Sequence, residues 1–506
     1  MFRRSPYQTS HLSGPLRLCF VLEIIWCLVS QLFTPVQSHA QQQEPNGPSA
    51  IQFHPCSVKD LPDAKCGTFS VFEDRRQKTG RQIALNIIVV PAITPGMATP
   101  PVFWMDGGPG GAATEAVGYV SLKWLRGVHR DHDLIFVDER GTGKSGPLSC
   151  GDVGKDPKHA DAFFGRPFPP EVLAACRDEL QTRADLRFYT TKLFVEDLND
   201  VRQALGYPTI SIAAFSYGTL AAQEYMRRYP SQVRSAFLFG PVTPDYRLPL
   251  PFARTADRAL EQLWRDCSAE KECHQAFPNV RQEFKEVLKR FGGGEYHVDM
   301  IDPATQTTRG FRLSRASYIE HVREMLYATT SSRFVPFVIH RAFEGDFVPF
   351  GVAAARFSGG GAGSYAGLHF SNLCSEALPF ISSGDLLRAT RNTFVGDTRV
   401  RSYSDVCKIW PRGDVPRSFL DLVTTSTPIL VFSGEEDGVT PPWLVKDAVR
   451  RWPNAQLVSI PNSGHQFDTP CEFNIVEAFF ETGSARNLDT SCITETKRPA
   501  FALILP

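Results

Sequence analysis

The sequence lacks an excess of charge of either sign. It contains 54 Lys and Arg residues against 54 Asp and Glu residues, so its formal net charge is zero. Proteins that bind nucleic acid or anionic membranes usually carry a basic patch or tail. The balanced charge and the 42% content of hydrophobic residues indicate an ordinary globular protein. We expect no nucleic-acid partner.

The sequence also lacks the residue spacings that bind zinc. No His-Glu-x-x-His motif occurs, which removes support for a metallohydrolase. Cys267, Cys273 and His274 lie close together, but no second pair of ligands follows them at the spacing of a zinc site. We therefore expect neither a bound metal nor another cofactor.

Long apolar runs are missing as well, except near the N-terminus. Leu18–Val29 follows three arginines, and Ser38–Ala40 offers small residues for cleavage, so residues 1–40 are predicted to be a signal peptide. The run is short and contains Glu23, which argues against a membrane-spanning helix. If the segment is not cleaved, it would act as an N-terminal anchor. The cleaved form predicts a secreted or periplasmic protein with no membrane span.

Ten cysteines follow the predicted signal peptide. An even number of cysteines in an exported protein favours disulfides over free thiols. Pairing in sequence order would close short loops, but the sequence is compatible with other connectivities. These cysteines are Cys56, Cys66, Cys150, Cys176, Cys267, Cys273, Cys374, Cys407, Cys471 and Cys492.

Short apolar runs alternate with helical stretches up to about residue 245. Most of the runs are apolar on both faces, a pattern typical of buried strands in a mainly parallel sheet. Between them, Val195–Leu205 has a helical apolar face and ends at Gly206. The predicted strands are Arg81–Val90, Val102–Met105, Leu134–Val137, Thr209–Ala214 and Ser235–Phe239.

Beyond Pro244 the pattern becomes helical. Residues 246–426 show helical periodicity without a comparable series of buried strands, and strands resume at Pro428–Phe432 and Gln456–Ile460. The sequence therefore predicts one α/β sheet interrupted by a helical insertion. We assign residues 41–245 to the first part of the α/β core, 246–426 to a helical cap domain and 427–506 to the last part of the core.

Ser216 lies where a predicted strand turns directly into a predicted helix. Such a turn lifts the serine above the sheet edge and points the N–H groups of the helix N-terminus at the same place, which suits a nucleophile. Ala214 stands where the usual motif has glycine and is also small. The alternative role for Ser216 is a helix N-cap. A nucleophilic serine further needs a histidine base and an acid to orient it.

The base and the acid are predicted from loops that follow late strands. Asp437 comes after the strand at 428–432, and His465 comes after the strand at 456–460. The order serine, acid, histidine is the order of these roles in α/β-hydrolases. Glu435 and Glu436 are alternatives for the acid, and surface positions are the alternative for both side chains.

A glycine-rich loop supplies the fourth element. Gly107–Gly111 follows the strand Val102–Met105, and glycines let backbone N–H groups approach an oxyanion without obstruction. We predict that the N–H groups of Gly108 and Tyr217 form the oxyanion hole. A plain turn is the alternative for this loop.

A second glycine segment, Gly141–Ser145, resembles the end of a phosphate-binding loop. The complete motif requires glycine at the position of Asp138, so we do not interpret the segment as a nucleotide site. We expect Asp138 and Arg140 to brace the oxyanion loop instead.

Together these segments resemble the proline iminopeptidase and tripeptidyl aminopeptidase branch of the α/β-hydrolases. Asp106–Gly110 is similar to that family's His-Gly-Gly-Pro-Gly loop, with Asp106 in place of histidine. Asp138–Ser145 resembles its Asp-x-Arg-Gly-x-Gly-x-Ser signature. The matches to the family's elbow, acid loop and histidine loop are Ser216–Thr219, Asp437 with Thr440–Pro442, and Asn462–His465.

The resemblance implies an α/β-hydrolase fold with a large, mostly helical cap inserted before the last strands. It also implies a serine exopeptidase in which Ser216, His465 and Asp437 act on peptides with a free N-terminus. Acidic cap residues would bind the substrate ammonium. Glu376 resembles the acid that follows a cysteine in the tripeptidyl group, and an exposed structural glutamate is the alternative.

Two other functions use the same scaffold. A carboxylesterase or lipase would have the same triad and accept substrates without a free amine. A non-catalytic binding protein is disfavoured because residues for all three triad roles are present.

Overall fold

A computed structural model describes residues 51–94, 99–151, 159–292, 294–302, 304–357 and 365–505. The predicted signal peptide and the lead-in at residues 41–50 lie outside this range. Within the described residues, no helix combines the length and the apolar character needed to cross a bilayer.

The described chain is built around a nine-stranded sheet with the order β1-β2-β3-β5-β4-β6-β7-β10-β11. The pairings from β5 through β11 are parallel, whereas β1, β2 and β3 add an antiparallel edge. A separate hairpin pairs β8 with β9. The strands are β1 His54–Pro55, β2 Lys65–Phe72, β3 Gln82–Val90, β4 Val102–Met105, β5 Leu134–Val137, β6 Ile210–Phe215, β7 Val233–Phe239, β8 Glu295–Ile301, β9 Thr308–Ser314, β10 Ile429–Gly434 and β11 Ala455–Ile460.

The predicted core strands are all present, within two residues of the predicted bounds at most ends. Every residue of β4, β5 and β10 is buried, because helices cover both faces of the sheet. The prediction of an α/β-hydrolase fold is confirmed. The parallel order brings the carboxyl ends of β4, β6, β10 and β11 to one edge, where the predicted site loops begin.

Helices flank the sheet and fill the insertion between β7 and β10. They are α1 Val117–Tyr119, α2 Ala160–Phe164, α3 Pro170–Gln181, α4 Thr191–Ala204, α5 Tyr217–Arg228, α6 Phe252–Ala269, α7 Lys271–Ala276, α8 Val280–Arg290, α9 Arg315–Met325, α10 Thr329–Ser332, α11 Val335–Glu344, α12 Val348–Phe357, α13 Ala366–Glu376, α14 Ser383–Thr390, α15 Thr398–Cys407, α16 Lys446–Val449 and α17 Pro470–Thr482.

The insertion has a hydrophobic core of its own, formed by α6–α9, α11, α12 and the β8–β9 hairpin. The sequence did not indicate this hairpin, because only alternate residues of its short strands are buried. Phe163 and Phe164 of α2 also belong to this second core, although they precede β6. The division of the chain at residues 245 and 427 stays a prediction.

Five disulfides join, in sequence order, the ten cysteines that follow the predicted signal peptide. Two of them lie in the insertion, and one of these, Cys374–Cys407, ties α13 to α15. The others are Cys56–Cys66, Cys150–Cys176, Cys267–Cys273 and Cys471–Cys492. The order-of-sequence pairing, one of several connectivities that the sequence allowed, is the one in the structure.

Candidate active site

Ser216 occupies the sharp turn between β6 and α5. Its backbone has φ +51° and ψ −123°, a conformation that L residues rarely adopt. Strain of this kind is characteristic of a nucleophile elbow. Gly218 makes the turn possible, because a Cβ there would lie 2.1 Å from the carbonyl oxygen of Met105.

His465 and Asp437 meet at the carboxyl ends of β11 and β10. The Nδ1 of His465 lies 2.7 Å from Oδ2 of Asp437. Because a carboxylate only accepts, Nδ1 carries the proton and Nε2 is left as the basic nitrogen. Thr440 Oγ1 donates to the same Asp437 oxygen at 2.7 Å, and the N–H groups of Val439 and Thr440 donate to Oδ1 at 2.7 and 2.9 Å.

These contacts decide the charge of Asp437. Its carboxyl group is 2% exposed, and burial by itself would raise its pKa. The charge of His465, its hydrogen bond and those of Thr440 outweigh burial and hold the pKa of Asp437 below the usual value. The acid is therefore a carboxylate that can stabilise a positive imidazole.

Ser216 and His465 line the same cavity of about 410 Å³. The ring of Phe215, next to the serine, lies 4.8 Å from the imidazole centroid. Among the hydrogen bonds of the described residues, none joins Ser216 Oγ to His465, whereas the bond from His465 to Asp437 is formed. In proteins without substrate, the bond between nucleophile and base is often long and tightens when substrate binds.

The two predicted oxyanion donors flank Ser216. Gly108 lines the cavity at φ +119°, and a Cβ there would approach the nitrogen of Gly110 to 2.6 Å. Tyr217 is the first residue of α5, so its N–H has no partner within the helix. Among the hydrogen bonds of the described residues, none uses the N–H of Gly108 or Tyr217. Both groups can therefore bind an oxyanion.

The insertion forms the other wall of the cavity. His369 and Leu373 of α13, Arg399 and Tyr403 of α15 and Tyr327 all line it. The N–H of His465 donates to the carbonyl oxygen of Tyr327, so the insertion also holds the histidine loop.

Asp106 contributes the carboxyl group in the cavity lining. Its Oδ1 accepts the N–H of Gly107 at 2.6 Å. Burial raises the pKa of Asp106 to about 6, more than its hydrogen bonds lower it. Asp106 is therefore mainly a carboxylate at neutral pH and becomes neutral in mild acid.

Glu376 does not line the cavity. It is buried behind the elbow, where Oε1 accepts the N–H of Thr191 and Oε2 the hydroxyl of Thr191, each at 2.6 Å. Burial raises its pKa to about 8. The alternative of an exposed structural glutamate is wrong, because Glu376 is buried and bonded to Thr191. Binding of a substrate ammonium by Glu376 stays a prediction.

Asp138 and Arg140 take different structural roles. Asp138 Oδ1 accepts the N–H of Thr114, three residues beyond the glycine-rich loop, at 2.8 Å. Arg140 forms two 2.7 Å bonds with the buried Asp197 of α4 and does not contact that loop. Asp138 thus contacts the segment that follows the loop, and Arg140 fixes α4 beneath the elbow. Bracing of the oxyanion loop by these two residues stays a prediction.

Sequence reasoning missed the residues that the insertion brings to the site. Nothing in the sequence around His369, Arg399 or Tyr403 indicates a place beside a serine more than 150 positions earlier. Thr440 was named only as part of the acid loop, without a role, although it lies three residues after the predicted acid in a turn-forming loop.

Two family models match the chain, "alpha/beta hydrolase fold" over residues 100–266 and "TAP-like protein" over residues 392–492. The fold and these two matches define an α/β-hydrolase, and a serine hydrolase enzyme is the class that they support. The second match places its C-terminal part with the TAP-like members of that family.

Curated relatives carry related names. The chain is 26% identical over 312 residues to serine protease Hip1 of Mycobacterium tuberculosis (strain ATCC 25618 / H37Rv), covering 58% of this chain and 57% of the relative. It is 28% identical over 236 residues to tripeptidyl aminopeptidase of Streptomyces coelicolor, covering 43% of each. The chain thus spans about half the length of these relatives. A solved structure, proline iminopeptidase of Mycobacterium smegmatis, is 17% identical, with a TM-score of 0.41 over 82% of this chain and 98% of that one.

Proposed function

We propose that this protein is an exported aminopeptidase that removes single residues or short peptides from free N-termini. Ser216 is the nucleophile, His465 the general base and Asp437 the orienting acid. The N–H groups of Gly108 and Tyr217 bind the oxyanion. The observation that carries this proposal is the strained backbone of Ser216 in the cavity that also holds the Asp437-bound imidazole of His465.

The reaction proceeds through an acyl-enzyme. Nε2 of His465 takes the Ser216 proton as Oγ attacks the scissile carbonyl carbon, and the carbonyl oxygen becomes the oxyanion. The imidazolium then protonates the leaving amine as the C–N bond breaks, which leaves an ester on Ser216. Water, deprotonated by His465, attacks this ester, and collapse of the second oxyanion releases the acid product and returns the proton to Oγ. Asp437 stabilises the imidazolium of His465 during both acylation and deacylation.

Two observations favour a peptidase over an esterase. The named relatives are a serine protease and a tripeptidyl aminopeptidase. The cavity also contains the carboxyl group of Asp106, which can pair with a substrate ammonium close to the oxyanion loop.

The five disulfides support export. Disulfides persist in oxidising compartments and are rare in the cytosol of mesophiles. We therefore propose a secreted or periplasmic location.

The first experiment replaces the nucleophile. Ser216→Ala should lower kcat for free-amine peptide anilides at least about a thousandfold, because the acyl-enzyme can no longer form. Ser211→Ala is the matched control, since Ser211 is a buried serine on β6, the strand that leads into Ser216. A fluorophosphonate should label the wild type and the control but not Ser216→Ala. Unchanged hydrolysis by Ser216→Ala would refute the proposal.

The second experiment separates the peptidase from the esterase. The same peptide anilide is offered with a free and with an acetylated N-terminus, beside a simple p-nitrophenyl ester. An aminopeptidase should lose most of its kcat/KM on acetylation of the substrate, because the acetylated N-terminus has no ammonium group to pair with a carboxylate of the enzyme. Equal rates for both peptides, with faster ester hydrolysis, would instead establish an esterase.

A further inference from the structure

Helix α13 of the insertion contacts both parts of the proposed oxyanion hole. The first contact is made by His369, whose Nδ1 lies 2.9 Å from the carbonyl oxygen of Pro109. Pro109 directly follows Gly108, the first oxyanion donor. His369 is 4% exposed, so water does not compete for this bond.

The second contact reaches Tyr217, the other donor. The Tyr217 hydroxyl lies 2.6 Å from Thr191 Oγ1, 3.2 Å from Glu139 Oε1 and 3.3 Å from the side-chain oxygen Oδ1 of Asn372. Asn372 also donates to Glu139 at 3.3 Å, and Glu376 accepts both the N–H and the hydroxyl of Thr191. The side chain of Tyr217 is thus held in a buried network to which α13 contributes Asn372 and Glu376.

These three residues of α13 lie on one face of the helix. His369, Asn372 and Glu376 are spaced i, i+3 and i+7, so their side chains project in nearly the same direction. The disulfide Cys374–Cys407 and the contact between His369 and Tyr403 fix the helix against α15. A shift of α13 would therefore disturb both oxyanion donors together.

We propose that α13 positions the oxyanion hole and that His369 is the positioning residue for the Gly108 donor. This inference rests on the proposed function, because it assigns a role to one part of the same site. The helix belongs to the insertion, so the insertion shapes the catalytic geometry as well as covering the cavity.

The direction of the hydrogen bonds supports this role. The Pro109 carbonyl only accepts, so Nδ1 of His369 must carry the proton of that bond. Nε2 then accepts the hydroxyl proton of Tyr403 at 3.1 Å, and the Tyr403 oxygen accepts an Arg399 N–H at 2.9 Å. The two ring nitrogens of His369 thus have opposite roles, donor at Nδ1 and acceptor at Nε2, which fixes the ring orientation.

Two amide variants of His369 test the proposal. In His369→Asn the side-chain nitrogen takes the place of Nδ1 and can still donate to Pro109. In His369→Gln it takes the place of Nε2 and leaves the Pro109 carbonyl without a donor. Because an oxyanion hole acts on the transition state, His369→Gln should lower kcat by about ten- to a hundredfold at little change in KM. His369→Asn should keep kcat within about threefold of the wild type, a change of less than one kcal/mol in the barrier.

His321→Gln is the matched control. His321 is also a buried histidine of the insertion, and its Nε2 lies 3.2 Å from the carbonyl oxygen of Phe163, away from the cavity. This variant should change melting temperature more than kcat. Equal kcat values for wild type and a folded His369→Gln would overturn the positioning role.

If His369→Gln does not fold, Tyr217→Phe decides. This variant keeps the backbone N–H of Tyr217 and removes only the hydroxyl that the network holds, so kcat should again fall with KM conserved. An unchanged kcat would overturn the proposal. Failure of the proposed function is recognised separately, because then Ser216→Ala itself leaves hydrolysis unchanged.

Discussion

At the scale of single residues, Thr440 links the acid and the base. Its hydroxyl lies 2.7 Å from Asp437 Oδ2 and 3.1 Å from His465 Nδ1. The side chain is completely buried, so no water can replace it. Thr440 therefore fixes which carboxylate oxygen faces the imidazole.

Replacing Thr440 with Val should lower kcat by about ten- to a hundredfold. Valine has the same shape but cannot donate to the carboxylate, and a hydrogen bond to a charged group contributes about 1.5–3 kcal/mol. Steady-state kinetics with a free-amine peptide anilide measures the effect. Thr425→Val is the control, because Thr425 is a buried threonine bonded to Thr427. A Thr440→Val enzyme as fast as the wild type would contradict this role.

Glu139 and Glu376 form a buried acid pair beneath the elbow. Burial is the largest cause that raises the pKa of each carboxyl group from 4.5 to about 8. The negative charges of neighbouring acids also raise the pKa of each group. The folded protein therefore binds protons that the unfolded chain has released. Stability from these groups is complete below pH 4.5 and is lost as the pH rises towards about 8.

Glu376→Gln should weaken this pH dependence. Glutamine cannot release a proton, so the melting temperature of the variant relative to wild type should rise between pH 4.5 and about 8. Thermal unfolding over that range measures it. Glu272→Gln, at an exposed position of α7, should follow the wild-type curve. Parallel curves for Glu376→Gln and wild type would mean that Glu376 titrates normally.

At the scale of elements, the disulfide between α13 and α15 holds the wall that carries His369 and Arg399. Its cysteines are 33 residues apart, whereas Cys267 and Cys273 are only 6 apart. A crosslink restricts the unfolded chain more when it closes a longer loop. The bond at α13 should therefore contribute more to stability.

The double variant Cys374→Ala/Cys407→Ala should lower the free energy of unfolding by about 3 to 4 kcal/mol. The matched variant Cys267→Ala/Cys273→Ala should lose about 2 kcal/mol, because its loop is shorter. Urea unfolding of both proteins gives the comparison. If the short-loop variant lost more stability, the chain-entropy account of these bonds would be wrong.

The sheet elements were predictable because their residues are buried on both faces. Short apolar runs such as Val102–Met105 and Leu134–Val137 are typical of strands in a sheet interior, where both faces are covered. The sequence analysis missed the hairpin of β8 and β9. About half of the side chains in these strands face solvent, and the two strands pair only with each other. Its existence depends on the packing of the insertion.

At the scale of the whole molecule, the common direction of the parallel strands determines where the residues of the predicted triad come together. Ser216, Asp437 and His465 lie in loops after parallel strands, and parallel strands end at the same sheet edge. This is why three distant motifs were enough to predict one site. The opposite wall of the cavity comes from the insertion, whose helices follow no such rule.

The sequence by itself determined the fold class and indicated which side chains of the candidate site lie at one sheet edge, because strand burial and loop position leave a local signal. The tertiary structure alone decided that Glu376 is buried behind the elbow, that cysteines pair in sequence order and that His369 contacts Pro109. These outcomes depend on how helices of the insertion pack on the sheet. Packing between distant helices is set by the summed shapes of many side chains, and no short stretch of sequence records it.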